Sequence, residues 1–148
     1  MNITAFDIAE RFQGVKEVNG ALDNPVIMSM LTLDNSWPQH DEIPWCSAFV
    51  NYICWLLRLP RSKSLMARSW IRIGSYIELK DAEKGLDVVV LKRELNSHGP
   101  EVLNAQGHVG FYAGHNSREV FVLGGNQGDA VNVAGYDIKK ILAVRRLI

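Results

Sequence analysis

The chain has 148 residues, of which 47% are hydrophobic and 22% charged, a composition typical of one globular domain rather than of a disordered chain. Sixteen basic and sixteen acidic side chains cancel, so the net charge gives no argument for a nucleic-acid or membrane partner. Asp7 and Glu10 interrupt the N-terminal segment where a signal peptide would need an unbroken apolar run. We therefore expect a single domain over residues 1–148, made in the cytoplasm, with no membrane insertion.

Helical periodicity marks the start of the chain. Apolar residues recur at helical spacing over residues 3–12, and Thr4 and Asp7 are placed as a capping pair. Further on, Asn24 and Pro25 form a start signal, because asparagine is a good N-cap and proline is favoured in the first helical position. We predict a helix in both places.

Two more helices are predicted in the middle of the chain. A polar, proline-containing loop over residues 34–44 leads into a helix that contains both cysteines, Cys46 and Cys54. A shorter apolar pattern near residues 64–73 predicts a further helix, which ends at Gly74.

The period changes in the second half of the chain. Short runs of β-branched or aromatic residues, separated by Gly, Asn, Pro and Asp, lie at 88–91, 108–113, 119–123 and 141–147. A long polar loop separates the first two runs, and loops of that length in compact domains are often functional. Helices followed by antiparallel strands predict an α+β domain.

The two cysteines have different predicted environments. Cys46 follows Pro44 and falls in the first turn of its helix, where free backbone N–H groups and the helix dipole favour a thiolate. Cys54 lies inside an apolar segment two turns further on, and the rise of about 12 Å between them is too long for a disulfide. We interpret Cys46 as a nucleophile and Cys54 as a core residue. The alternative is that Cys46, too, is only a small buried side chain.

A cysteine nucleophile needs a base and a group that fixes the tautomer of that base. His108 opens a predicted strand and shares a face with Gly110 and Tyr112, while the alternate residues face the core. Asn126 follows two glycines at the end of the strand expected to pair with it, where its amide oxygen could accept the imidazole N–H. The alternatives are a structural histidine and a turn asparagine.

Three motifs together carry a family resemblance. WCSAF at 45–49, GHVGF at 107–111 and GGNQ at 124–127 resemble the CHAP-like branch of the NlpC-type, papain-fold cysteine peptidases, in particular small bacteriophage lysis and cell-wall hydrolase domains. The resemblance also takes in KEVNGALDNP and MARSWIRIG and so covers nearly the whole chain. It implies a papain-like α+β fold, with N-terminal helices packed on a C-terminal antiparallel sheet, and hydrolysis of an amide bond in the peptide stem of peptidoglycan or between its sugar and first alanine.

The resemblance also assigns roles to individual residues. Cys46 corresponds to the nucleophile, His108 to the general base and Asn126 to the orienting residue. Many CHAP domains carry a glutamate two residues before that asparagine, where this chain has Gly124, so Asn126 orients the base alone or with help from another group.

Three residues near the thiol are candidates for binding the substrate or the oxyanion. The Cys46 backbone N–H is one expected oxyanion donor, and Gln39 and His40 lie about where papain-like enzymes place a second. Trp45 is a candidate for one wall of the substrate groove.

The sequence and the resemblance also lead to expectations about the cofactor, the partner and the biological role. Neighbouring loop residues such as His40 and Asp41 do not converge easily on one ion, so we expect no metal and no other cofactor. The expected partner is bacterial peptidoglycan, attacked outside the cytoplasmic membrane by a monomeric phage endolysin. The alternatives are an antibacterial effector amidase, and a catalytically inactive module that binds the cell wall or a phage tail.

Overall fold

The computed structural model describes residues 1–18, 23–95 and 98–148 of the protein. Within these ranges three α-helices precede a six-stranded sheet in the order β1-β6-β2-β3-β4-β5, in which every neighbouring pair is antiparallel. The helices are α1 Ala5–Glu10, α2 Pro25–Leu31 and α3 Cys46–Leu57. The strands are β1 Ser75–Ile77, β2 Asp87–Lys92, β3 Gly107–His115, β4 Glu119–Gly124, β5 Asn132–Asp137 and β6 Ile141–Arg146.

The predicted helix start signals are confirmed. The Thr4 hydroxyl accepts from the Asp7 N–H at 3.2 Å and the Asp7 carboxylate accepts from the Thr4 N–H at 2.8 Å, which completes a capping box. The Asn24 side chain accepts from the Val26 N–H at 2.9 Å, with Pro25 in the first helical position. The turn that joins α1 to α2 lies partly outside the described residues.

Of the two remaining helix predictions, the one that contains both cysteines is confirmed and the other needs correction. The helix that contains both cysteines begins at Cys46 itself, and the helix expected near residues 64–73 is a 3₁₀ helix, Ala67–Arg72. None of the helices in the described ranges is long and apolar enough to cross a bilayer.

All four predicted strands form, and two further strands complete the sheet. Both additional strands lie at its edges: β1 has three residues, and β5 pairs only with β4. Edge strands lack a fully buried apolar run, which is the pattern that marks a strand in a sequence. In β5 the side chains alternate between half-buried and exposed.

The main core lies between the helices and one face of the sheet. Phe49 of α3 packs edge-on against Phe111 of β3, with ring centroids 6.1 Å apart, and Val109 is fully buried on the same face. Tyr112 points to the opposite face, where it joins a smaller apolar cluster. The predicted alternation of β3 and the α+β class are therefore confirmed, and α3 packs against β3, in which His108 is the second residue.

Candidate active site

The nucleophile candidate stands at the start of α3. Trp45 occupies the N-cap position without a side-chain capping bond, and Cys46 is the first helical residue. The first backbone N–H groups of a helix have no partner within it, so the Cys46 sulfur lies among free donors at the positive end of the helix dipole.

Buried polar side chains fix this end of α3. The Ser47 hydroxyl donates to the Ser64 carbonyl at 2.5 Å and accepts from the Trp70 indole N–H at 2.9 Å. Asn51, one turn further along, donates to the same Ser64 carbonyl at 3.1 Å and accepts from the Lys63 N–H at 2.9 Å. These bonds attach the helix to the following segment and so set the position of the neighbouring Cys46. The sequence signal for them is two small polar residues four apart in an otherwise apolar helix.

Cys46 and His108 form a hydrogen-bonded pair. Burial favours the neutral form of each group, but the bond between them and their opposite charges outweigh burial. Backbone bonds from Val109 and Ser47 add to the effect at the sulfur. As a result the pKa of Cys46 lies below that of an ordinary thiol and the pKa of His108 lies above that of an ordinary imidazole. Both shifts favour the thiolate and the imidazolium, which together are the reactive state of a cysteine nucleophile.

Gln127 fixes the tautomer of His108. The His108 Nε2 lies 2.9 Å from the Gln127 Oε1. The Gln127 amide nitrogen donates to the carbonyls of Val122 at 3.2 Å and Asn132 at 2.7 Å, and because a carbonyl only accepts, the amide oxygen must face the imidazole. His108 Nε2 therefore carries a proton and donates it, which leaves Nδ1 to exchange a proton with Cys46.

The role predicted for Asn126 thus passes to the next residue. Asn126 has a left-handed backbone conformation, with φ +59°, in the turn after β4. After this turn the Gln127 side chain reaches back to the carbonyls of Val122 in β4 and Asn132 in β5, where it is almost fully buried. Two adjacent amides in one turn cannot be told apart by spacing alone, and the longer of them makes the contact.

Tyr136 completes the site from β5. Its hydroxyl donates to the Gln127 Oε1 at 3.0 Å, and its ring lies alongside the His108 ring with centroids 5.3 Å apart. Burial, followed by the charge of Cys46, raises the pKa of Tyr136 to about 12, so the hydroxyl stays protonated as a donor. The Gln127 oxygen therefore accepts from both His108 and Tyr136. Sequence reasoning missed Tyr136 because its strand was not predicted.

The two glycines of GGNQ make room for this network. A Cβ on Gly124 would lie 2.7 Å from the Gln127 Oε1 and 3.3 Å from the His108 Nε2. A Cβ on Gly125 would lie 2.6 Å from the Trp45 ring. Gly124 stands where a glutamate was expected. A larger residue there would collide with the Gln127 oxygen that contacts His108.

The prediction that Trp45 lines the substrate groove is wrong. The side chain is fully buried, and its indole N–H donates to the Glu17 carboxylate at 2.8 Å. Trp45 is a core residue: it is the N-cap of α3, and its ring packs closely against the backbone of Gly125.

A groove of about 220 Å³ opens in front of Cys46. It is lined by Pro44, Cys46, Leu65, Met66, Ala67, Arg93, Gln106 and Gly107. Gln39 and His40, the predicted oxyanion donors, do not line this groove: both are exposed, and the His40 Nδ1 lies 3.4 Å from the Asp23 carboxylate. Gln106 is the amide side chain that the structure places there.

A buried arginine, Arg68, anchors the loop that contributes Gln106 to the groove. Arg68 Nε donates to the Gln106 carbonyl at 3.0 Å, and its Nη1 donates to the carbonyls of His98, Gly99 and Val102 at 2.9, 2.7 and 3.1 Å. One guanidinium therefore ties together the described part of the long loop between β2 and β3. The sequence indicated a long polar loop of a kind that is often functional, but it did not identify Arg68 as the residue that anchors it.

The second thiol differs from the first, as predicted. Both cysteines are free, but burial raises the pKa of Cys54 to about 12, and the charge of Arg61 offsets only part of that shift. Cys54 is thus a neutral core thiol at physiological pH. Among the described residues no group of three or more His, Cys, Asp or Glu side chains is placed to hold a metal ion.

The fold is similar to that of two solved structures, NlpC1 and NlpC2 from Trichomonas vaginalis. Each aligns with 97% of this chain at a TM-score of 0.55, with 17% identity to NlpC1 and 18% to NlpC2. The chain spans less than half of their lengths, 42% and 44% respectively. No protein-family model and no curated protein matches the chain. The likeness confirms the predicted papain-like α+β fold, while the narrower resemblance to CHAP-like phage domains stays a prediction.

Proposed function

We propose that the protein is a cysteine peptidase or amidase that hydrolyses an amide bond of bacterial peptidoglycan. The observation that carries this proposal is the hydrogen-bonded pair of Cys46 and His108, whose outer nitrogen is held by Gln127. The cell-wall substrate is supported by the motifs WCSAF, GHVGF and GGNQ. It is also supported by the fold that the chain shares with proteins named NlpC.

The geometry permits a two-step acyl transfer. The Cys46 thiolate attacks the amide carbon, and the carbonyl electrons move to the oxygen, which the free Cys46 N–H at the helix start stabilises. The imidazolium of His108 gives its Nδ1 proton to the leaving amine as the C–N bond breaks, and a thioester remains. The same nitrogen then takes a proton from water, which attacks the thioester and releases the acid and the thiolate.

For the biological role we propose a phage endolysin that acts as a monomer on peptidoglycan outside the cytoplasmic membrane, without a cofactor. The support is the resemblance of the motifs to small phage lysis domains. An antibacterial effector amidase would use the same chemistry. An inactive wall-binding module is disfavoured because the Cys46, His108 and Gln127 side chains keep their hydrogen bonds, which binding alone does not require.

Digestion of purified sacculi tests the activity. The wild-type protein should release fragments that mass spectrometry identifies by new termini: free alanine N-termini for an amidase, or cleavage further along the stem for an endopeptidase. Cys46→Ala should release none while its thermal unfolding stays close to that of the wild type. Equal release by Cys46→Ala, or no release by the wild type from amidated and unamidated sacculi alike, would contradict the proposal.

A further inference from the structure

Among the described residues that line the groove in front of Cys46, one side chain besides the thiol itself is formally charged. Most of its lining is apolar or neutral, and Arg93 is the exception. In the register of β2 with β3, Leu91 pairs with His108 and Lys92 with Gly107. Arg93 follows directly, so its backbone lies two residues, or about 7 Å, beyond the level of His108. Its guanidinium therefore borders the space that a substrate of Cys46 must enter.

Arg93 is exposed and belongs to the lining of the groove. Three arginines elsewhere in the described ranges have close partners: Arg61 with Asp34 at 2.8 Å, Arg146 with Asp87 at 2.8 Å, and Arg68 with backbone carbonyls. An exposed arginine is ordinary on a surface, but Arg93 forms part of the wall of a groove that ends at a nucleophile.

The charge of Arg93 also acts against the catalytic pair. It disfavours protonation of His108, an effect smaller than burial and than the bonds to Cys46 and Gln127, which leave the pKa raised overall. The positive charge of Arg93 makes the imidazolium form of His108 less stable in the free protein. An anion bound to Arg93 would remove that penalty. The placement of Arg93 is therefore favourable for catalysis when a substrate brings negative charge into the groove.

We propose that Arg93 binds a carboxylate of the substrate close to the scissile amide, so that the preferred substrates are acidic peptides. The inference rests on the proposed function and names the substrate class of that site. Arginine suits this role because its planar guanidinium meets a carboxylate with two parallel hydrogen bonds. Stem peptides with free carboxylates fit the groove better than those in which the carboxylates are amidated.

A pair of small alkylating probes tests this without requiring hydrolysis. Iodoacetate and iodoacetamide both form a thioether with the Cys46 thiolate and release iodide, and they differ in carrying a carboxylate or a carboxamide. The ratio of their second-order rate constants at Cys46, measured by peptide mass spectrometry, cancels any change in the thiolate fraction. Arg93→Gln should lower the ratio of iodoacetate to iodoacetamide about fivefold, the size expected for one unit charge at groove distance.

Two control variants make the result specific. Arg93→Lys should keep most of the wild-type ratio. Arg118→Gln removes the same charge near the hairpin turn at the other end of β3, roughly 25 Å away, and should leave the ratio unchanged. An unchanged ratio in Arg93→Gln, or an equal fall in Arg118→Gln, would overturn the proposal.

A second measurement separates this inference from the proposed function. The wild-type protein should digest unamidated stem peptides with a higher kcat/KM than amidated ones, and Arg93→Gln should lose that preference. Equal digestion of both by the wild type would refute the substrate class and leave the hydrolase intact. A charge preference in alkylation without digestion of any sacculus would refute the hydrolase and leave the anion site intact.

Discussion

Replacing Gln127 with alanine tests the account of how His108 is held. The substitution removes the oxygen that accepts from His108 and Tyr136, and the nitrogen that donates to Val122 and Asn132. The imidazole then loses the partner that fixes its tautomer and orientation.

The size of the effect can be worked from these bonds. A hydrogen bond to a charged group contributes about 1.5–3 kcal/mol, so losing the bond to the imidazolium should lower kcat by about tenfold to about 150-fold. The buried carbonyls of Val122 and Asn132 lose their donor at the same time, which should lower the free energy of unfolding by about 2 kcal/mol.

The assay compares Gln127→Ala with Asn126→Gly in sacculus digestion and in urea unfolding. Glycine tolerates the positive φ of residue 126, so Asn126→Gly removes the amide without straining the turn. We expect a kcat close to that of the wild type for Asn126→Gly and a large loss for Gln127→Ala. The reverse order would return the orienting role to Asn126 and refute the assignment.

The pH profile separates orientation from mere stability. After burial and the interaction with Cys46, the bond to Gln127 is a further contribution that raises the pKa of His108. Its loss lowers that pKa, so the imidazolium is lost at a lower pH. The alkaline limb of kcat/KM should therefore move to lower pH in Gln127→Ala. A profile that falls uniformly without moving would show that Gln127 serves only the fold.

Three other substitutions follow from the same contacts. Cys54→Ser should keep most of the activity, and iodoacetamide should label Cys46 faster than Cys54 near neutral pH; equal, slow labelling of both would contradict an activated thiolate. Gly124→Ala should lower kcat about tenfold, because the new Cβ displaces the Gln127 oxygen from His108; an unchanged kcat would show that the amide can shift freely. Arg68→Met should lower the free energy of unfolding by about 3 kcal/mol and speed amide hydrogen exchange over residues 98–106, since one guanidinium holds four carbonyls there. Unchanged protection in that loop would argue against the anchor.

The parts of the site that follow a period or a capping rule could be predicted from the sequence. Helical start signals place Cys46 in the first turn of an apolar helix, and strand alternation places His108 on the face opposite Val109 and Phe111. Both conclusions depend on local backbone geometry, which a short stretch of sequence determines well.

The parts of the site that depend on a turn or an edge strand could not be predicted from the sequence. Asn126 and Gln127 differ by one residue in a turn with positive φ, where no periodicity says which side chain points at the sheet. Tyr136 lies on an edge strand without an apolar run. Trp45 was misassigned because its neighbour is the nucleophile, whereas the helix cap and the missing side chain of Gly125 turn it into the core.

The most direct test of the central claim is the pH dependence of Cys46 alkylation by iodoacetamide in the wild type and in His108→Ala. If the sulfur is paired with the imidazolium, the midpoint of the wild-type rate profile lies below the pKa of an ordinary thiol, about 8.5. In His108→Ala only the backbone bonds from Val109 and Ser47 oppose burial, so the rate should rise at a higher pH than in the wild type. Superimposable profiles in the two proteins would show that His108 does not activate Cys46, and the proposed hydrolase mechanism would fail.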